Sequence, residues 1–142
     1  MQVSLTGLKQ YASDFVDALP QRHGEHAYIV GLKGELGAGK TTFVQAVAHK
    51  LGVEESVTSP TFVIAQSYNT QHPVFTTLVH IDAYRLAEEN KDTIGFVDIQ
   101  NDPHALVLVE WPEHLPGGMP KHTNYLSFET VNETTRKITH VS

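Results

Sequence analysis

GELGAGKTT, residues 34 to 42, is the stretch that decides how this chain folds. It contains three glycines and one alanine before a lysine and two threonines, so it offers almost no side chain for packing. From Gly34 to Thr41 it matches the pattern G-x-x-x-x-G-K-[ST], in which bare glycines let backbone N–H groups converge on phosphate oxygens. The sequence therefore predicts a phosphate-binding loop for a nucleoside polyphosphate.

The polar residues of the loop have separate expected roles. Lys40 should reach the β- and γ-phosphates, and the Thr41 hydroxyl should ligate Mg²⁺. A helix that begins here would add the partial positive charge of its N-terminus. The four intervening positions of the motif are Glu35, Leu36, Gly37 and Ala38.

The flanking segments have the periodicity that such a loop requires. AYIVGLKG (27–34) is a short apolar run that predicts a buried strand, and TFVQAVAHKLGV (42–53) repeats apolar residues at helical spacing. Gly52 stands where a helix commonly ends in a left-handed glycine. Residues 8–19 predict an amphipathic helix that Pro20 closes. The order strand, glycine loop, helix is the one in which a phosphate-binding loop occurs.

The remaining segments predict mostly strands. TFVIAQSY (61–68) and VFTTLVHID (74–82) predict a hairpin, and ALVLVEW (105–111) is the most apolar stretch, as expected of a central strand. YLSFETV and RKITHV around NET predict a closing hairpin, and a short helix is expected near 93–99. The predicted fold class is therefore α/β: a single-domain P-loop NTPase fold over residues 1–142, three-layered, with a mixed, mainly parallel sheet and added β-hairpins.

Two carboxylates follow predicted strands. Glu110 comes after the apolar run 105–109, so it should emerge at the carboxyl edge of the sheet, where ligands collect. It could reach Mg²⁺ through water or hold the attacking water. Asp82, in HIDAYR (80–85), is the second candidate, as an outer-sphere metal ligand or as the group that positions the lytic water. The sequence leaves open which of the two acts on the water, and packing explains His80 and Tyr84 as well as function does.

Composition excludes several classes of protein. A formal net charge of −6 and a pI near 5.8 argue against a self-sufficient nucleic-acid binder, which needs a clustered basic face. The chain has no cysteine, no apolar run of membrane-spanning length and no signal-like N-terminus, so a cytoplasmic protein is expected. The nine histidines show no ligand spacing, and no protein-bound transition metal is predicted.

Other classes of P-loop protein fit the sequence less well than an ATPase. A GTPase needs Asp to read guanine where Thr93 stands, so adenine is favoured. A small-molecule kinase usually closes an arginine-rich lid over the phosphates, and this chain has three arginines. TSPTF (58–62) lies where a hydroxyl, from Thr58 or Thr61, could sense the γ-phosphate, although a turn around Pro60 explains it equally well. A nucleotide-dependent scaffold is a further alternative.

Four motifs together, GELGAGKTT, TSPTF, HIDAYRL and LVEWPE, resemble the bacterial TsaE (formerly YjeE) family of small P-loop ATPases over residues 27–116. The resemblance implies a role in making N6-threonylcarbamoyladenosine at position 37 of tRNAs that read codons beginning with A. It implies docking on a heterodimer of TsaB-like and TsaD-like subunits, one of which catalyses the transfer while ATP hydrolysis supports repeated turnover. Contact with tRNA would be indirect, through the complex, and no membrane is involved.

The resemblance also assigns residues. It implies that Gly37 to Thr42 hold the phosphates of ATP, that Thr41 and Glu110 bind Mg²⁺, and that Asp82 and Trp111 are needed near the site. The expected catalytic residues are Lys40, Asp82 and Glu110. The expected nucleotide-binding residues are Gly34, Glu35, Leu36, Gly37, Ala38, Gly39, Lys40, Thr41, Thr42, Trp111 and, on the adenine side, Arg136. The N-terminal nucleotide contact of the family is expected at Thr6 or Leu8. TSPTF and the loop 112–121 are the candidate partner surfaces, because both should flank the phosphates. Because arginines are few, slow hydrolysis that partners stimulate is expected.

Overall fold

A computed structural model describes residues 2–4, 6–35, 37–55, 57, 65–84, 95–115 and 118–141. The strands are β1 (Gln2–Ser4), β2 (Tyr28–Lys33), β3 (Ala65–Asn69), β4 (Thr77–Asp82), β5 (Ala105–Glu110), β6 (Asn124–Asn132) and β7 (Thr135–Val141). The helices are α1 (Gly7–Asp17), α2 (Lys40–Lys50) and α3 (Phe96–Gln100), with a 3₁₀ turn at Pro112–His114.

All seven strands form one sheet in the order β1-β7-β6-β2-β5-β4-β3. The four strands β6, β2, β5 and β4 are parallel to one another, and β3, β7 and β1 each pair antiparallel with a neighbour. The α/β class and the mixed sheet with added hairpins are therefore confirmed. The strand predicted from ALVLVEW is β5, and its central place explains why every residue from Ala105 to Glu110 is buried.

Side chains alternate between two apolar layers along the parallel strands. Leu106 and Leu108 of β5 belong to the cluster formed with α1 and α2, whereas Val107 and Val109 belong to the cluster formed with α3. The sheet thus has helices on both faces, as the three-layer prediction requires. Because Glu110 is two residues beyond Leu108, its side chain faces the α2 layer.

Element bounds differ from the predicted ones in a few places. Helix α2 begins at Lys40, two residues before the predicted start, and Gly52 has the left-handed φ of 79° expected beyond its end. Strand β1 was not predicted, because three residues are too few to show a period. Residues 61–64 of the first predicted hairpin strand and 93–94 of the predicted short helix lie outside the described residues.

Within the described part of the chain, no helix combines the length and the apolarity needed to cross a membrane.

Candidate functional site

The loop between β2 and α2 is shaped by three glycines with positive φ. These angles are 145° at Gly34, 80° at Gly37 and 99° at Gly39. At Gly34 a Cβ atom would lie 2.5 Å from the carbonyl oxygen of Phe128 on β6, so no other residue fits without a backbone shift. Leu36, the remaining loop position assigned to the nucleotide, lies outside the described residues.

The loop leads directly into α2, and no described side chain caps the N-terminal end of this helix. Gly39 is the N-cap residue and provides no side-chain hydrogen bond, and the carbonyl of Gly39 accepts from Phe43 N at 2.8 Å. The N–H groups of the first turn, from Lys40 to Thr42, consequently have no intrahelical partner. Together with the helix dipole they form a site that favours an anion such as a phosphate.

Lys40 directs its ammonium group back into the loop. The side chain is buried, and Nζ donates to the Gly34 carbonyl and lies 3.7 Å from the ring centroid of Trp111. Burial lowers the pKa of Lys40, while the nearby carboxylates of Glu110, Glu113 and Asp82 oppose that shift. The ammonium is therefore already stripped of most of its water, held by one carbonyl and one ring that a phosphate could replace.

A second group of polar atoms meets beside the first turn of α2. Thr41 Oγ1 lies 3.2 Å from both carboxylate oxygens of Glu110, although the two residues are 69 positions apart in the chain. Glu110 Oε2 lies 2.6 Å from Nε2 of His80, which is fully buried. Hydroxyl and carboxylate oxygens are the ligands that Mg²⁺ prefers. The residues predicted to bind the metal are therefore neighbours in the fold.

Asp82 lies next to Glu110 at the carboxyl edge of the sheet. The two residues are partners in the parallel pairing of β4 with β5, so their side chains project from the same face. Oδ1 of Asp82 accepts a hydrogen bond of 3.0 Å from the backbone N–H of Tyr84. One carboxylate oxygen of Asp82 is thus tied to its own turn, and both predicted carboxylates flank Lys40.

An aromatic cluster closes this side of the loop. The rings of Tyr84 and Trp111 have centroids 5.0 Å apart, and His114 stacks on Tyr84 at 5.5 Å. Trp111 has φ of 58°, the one positive value at a non-glycine residue in the described segments. That backbone angle turns the chain after β5 and carries the indole ring over Lys40.

Arg136 reaches the loop from β7. Arg136 is 8% exposed, and its Nη2 donates to the Gly37 carbonyl at 3.1 Å. Nη1 donates to the carbonyls of Asn132 and Thr135 at 2.8 and 3.1 Å. In this structure the residue expected on the adenine side therefore contacts the glycine-rich loop itself.

Other predicted positions are less closely joined to the site. Leu8 is fully buried and packs under Gly39, whereas Thr6 is exposed and bonds to Ser4, so only Thr6 presents its side chain to solvent. Glu35 and Thr42 are exposed at the ends of the loop, and Ala38 is buried within it. The segment TSPTF and the residue Arg85 lie outside the described residues.

His80 is the residue that sequence reasoning undervalued. Packing and function explained it equally well from the sequence, yet its ring lies in direct contact with Glu110. The spacing H-x-D carried the missing signal, because residues two apart on a strand share a face. His80 had therefore to lie on the same side of β4 as Asp82, facing the site.

Comparison with known proteins gives a consistent result. The family model described as threonylcarbamoyl adenosine biosynthesis protein TsaE matches residues 4–138. The tRNA threonylcarbamoyladenosine biosynthesis protein TsaE of Treponema pallidum is 36% identical over 116 residues, which cover 81% of this chain and 82% of that protein. The protein of the same name from Mycobacterium tuberculosis is 34% identical over 115 residues, 78% of this chain and 68% of the relative.

A solved structure is similar over nearly the whole chain. The crystal structure of YdiB from Bacillus subtilis superposes with a TM-score of 0.75 at 25% sequence identity. The match covers 99% of this chain and 82% of that one. Similarity in sequence and similarity in fold thus point in the same direction.

Proposed function

The chain belongs to the TsaE family of threonylcarbamoyl adenosine biosynthesis proteins, and from that premise we propose that it is the ATP-binding and ATP-hydrolysing subunit of this tRNA modification. It acts in the cytoplasm as one domain over residues 1–142. In this proposal it binds a TsaB-like and TsaD-like heterodimer and meets tRNA only through that complex. It does not catalyse the transfer of the threonylcarbamoyl group but supports repeated turnover.

One observation carries the proposal: Thr41 and Glu110, distant in sequence, meet at 3.2 Å where the glycine loop enters α2. A glycine loop alone would explain an anion site. A hydroxyl and a carboxylate beside it supply hard oxygen ligands, which suit a magnesium–triphosphate complex rather than a lone anion. The donor set therefore fits Mg²⁺, with Thr41 and Glu110 as the residues that would hold it.

The chain's own groups have distinct roles in hydrolysis. Bound Mg²⁺ supplies neutralisation of the charge that grows on the phosphate oxygens. Lys40 exchanges the Gly34 carbonyl and the Trp111 ring for phosphate oxygens, and the first-turn N–H groups of α2 bind the others. Asp82 or Glu110 orients the attacking water, since both carboxylates project from the same edge of the sheet. Arg136 supports the loop on the adenine side.

Calorimetry and turnover measurements test this function. Wild-type protein should take up ATP in preference to GTP, with a gain in affinity when Mg²⁺ is present, and Lys40→Ala should lose most of that binding. Glu110→Ala should keep partner binding and the nucleotide binding measured without Mg²⁺, lose the gain in affinity from Mg²⁺, lose hydrolysis, and stall tRNA modification after about one turnover. Absence of adenine nucleotide uptake by folded protein would refute the proposal. Transfer of phosphate to a metabolite, rather than to water, would establish a kinase instead.

A further inference from the structure

His80 and Glu110 form a buried pair that the metal site alone does not explain. His80 is 0% exposed and Glu110 is 4% exposed, so both polar groups have been taken out of water. Nε2 and Oε2 are 2.6 Å apart, which is short for a hydrogen bond between nitrogen and oxygen. Burying two such groups in contact costs free energy unless each satisfies the other. Their placement therefore points to a specific purpose.

The strand register fixes this contact. His80 pairs with Leu108 in the parallel ladder, and Glu110 follows two residues later on the same face of β5. The carboxylate of Glu110 thus lies diagonally across from the imidazole, with Thr41 on the other side. The imidazole contacts Oε2 of this carboxylate, and the Thr41 hydroxyl lies 3.2 Å from both Oε1 and Oε2.

We propose that His80 is a positioning residue that fixes the Glu110 carboxylate in the orientation needed for magnesium–nucleotide binding. The proposal rests on the nucleotide function argued above and assigns His80 a role within it. Since a carboxylate only accepts hydrogen bonds, the imidazole must donate from Nε2. Its other nitrogen, Nδ1, has no hydrogen-bond partner among the described residues, so the contact with Glu110 is the polar bond that the ring makes there.

A purely structural role for the imidazole would have a different consequence. If His80 only filled space, its replacement would weaken the fold and would reduce nucleotide binding equally with and without Mg²⁺. A residue that orients a metal ligand instead affects the magnesium-dependent part of binding, by about 10- to 100-fold for such supporting partners. The two roles are therefore separable by one ligand measured under two conditions.

Two amide substitutions provide the matched pair for this test. The side-chain nitrogen of glutamine can occupy the place of Nε2, whereas that of asparagine reaches only as far as Nδ1. His80→Gln should therefore keep a donor against Glu110, and His80→Asn should lose it. The two variants are similar in polarity and differ by one methylene, so they control for general effects of replacing a buried ring.

The experiment is calorimetric titration of wild type, His80→Gln and His80→Asn with a non-hydrolysable ATP analogue, in EDTA and in Mg²⁺, with thermal unfolding of each variant. In wild type, Mg²⁺ should increase the affinity for the analogue, and we expect this increase to be about 10- to 100-fold smaller in His80→Asn. The affinity of His80→Asn in EDTA should be nearly unchanged. His80→Gln should be close to wild type in both conditions. Equal losses in both conditions, or equal losses in both variants, would overturn the proposal while leaving the nucleotide function intact. Failure of the wild-type protein to bind the analogue at all would overturn the nucleotide function and this proposal with it.

Discussion

Gly34 and Gly37 both have positive φ, yet their surroundings differ. A Cβ at Gly34 would meet the Phe128 carbonyl oxygen at 2.5 Å, whereas a Cβ at Gly37 would meet nothing within 4 Å. Gly37→Ala should therefore cost only the strain of a left-handed angle, about 1–2 kcal/mol of unfolding free energy. Gly34→Ala should cost about 3 kcal/mol or more, because a backbone clash adds to the strain. Urea unfolding of both variants checks this, and equal losses would contradict it.

His26 and His122 form a stacked pair away from the loop, with ring centroids 4.8 Å apart. Burial, and then the charge of His26, lower the pKa of His122 below its ordinary 6.5. The unfolded chain has the ordinary His pKa of 6.5, and the folded state has a lower one. At pH values between these two, the folded state binds fewer protons than the unfolded chain, so stability falls as pH drops below 6.5. His26→Gln should raise the His122 pKa and reduce this loss.

NMR titration of the His122 ring protons, in wild type and in His26→Gln, measures the shift directly. His49→Gln replaces an exposed histidine on α2 and serves as the matched control, with no effect on His122. A His122 pKa that stayed the same in His26→Gln would show that the stacked ring exerts no electrostatic influence.

At the residue scale, the sequence indicated which residues to consider better than it indicated their contacts. Lys40, Thr41 and Glu110 were identifiable because a motif and a strand end each fix a position along the chain. The contact of Lys40 with Trp111 was not, since it depends on the left-handed backbone angle of Trp111. The contact of Arg136 with the Gly37 carbonyl spans 99 positions and follows only from the strand order.

Helix α2 has the glycine loop at its N-terminal end and Gly52 beyond its C-terminal end, so its two ends can be perturbed separately. At its C-terminal end Gly52 has φ of 79°, and a Cβ there would lie 2.7 Å from Cγ of Gln71. Gly52→Ala should lower the unfolding free energy by about 1–2 kcal/mol from the backbone angle, with an added contribution from the clash. Nucleotide affinity should not change, because the phosphate-binding loop lies at the opposite end of the helix.

Adding Gln71→Ala to Gly52→Ala helps to separate the cost of the clash with Gln71 from the cost of the left-handed backbone angle. The double variant removes Cγ of residue 71 but keeps its Cβ, which would lie 2.9 Å from the added Cβ, so it should regain part of the stability lost to the clash and none of that lost to the left-handed angle. Chemical unfolding and nucleotide calorimetry of the single and double variants measure both effects. A drop in nucleotide affinity with Gly52→Ala would mean that strain passes along α2 to the loop.

At the element scale, predictability followed length and periodicity. Strand β5 and helices α1 and α2 were recognisable because each carries a full apolar pattern. Strand β1 escaped prediction because its three residues are placed by pairing with β7, a long-range contact. The predicted start of α2 was two residues too late, because the helix begins with the polar residues Lys40 and Thr41, which do not contribute to the apolar spacing.

The whole molecule has a small supply of arginines for phosphoryl chemistry. Arg22 is exposed before β2, at the amino edge of the sheet and away from the loop. Arg136 is engaged with three backbone carbonyls, and Arg85 lies outside the described residues. An arginine that neutralises transition-state charge is worth about 10³- to 10⁵-fold in rate. The proposed hydrolysis should therefore be slow in the isolated chain and faster in the assembled complex.

The steady-state rate of ATP hydrolysis, measured alone and with the TsaB-like and TsaD-like subunits, tests this expectation. We expect a rise of at least about tenfold, well short of the 10³- to 10⁵-fold that a fully engaged arginine contributes. Lys40→Ala should abolish the rate in both conditions, which excludes hydrolysis by the partners as the source. Scoring modified tRNA in the same reactions connects hydrolysis to turnover. If partners left the rate unchanged, the chain would have to neutralise the phosphates with its own residues. Arg85 would then be the candidate for the arginine that a partner was expected to supply.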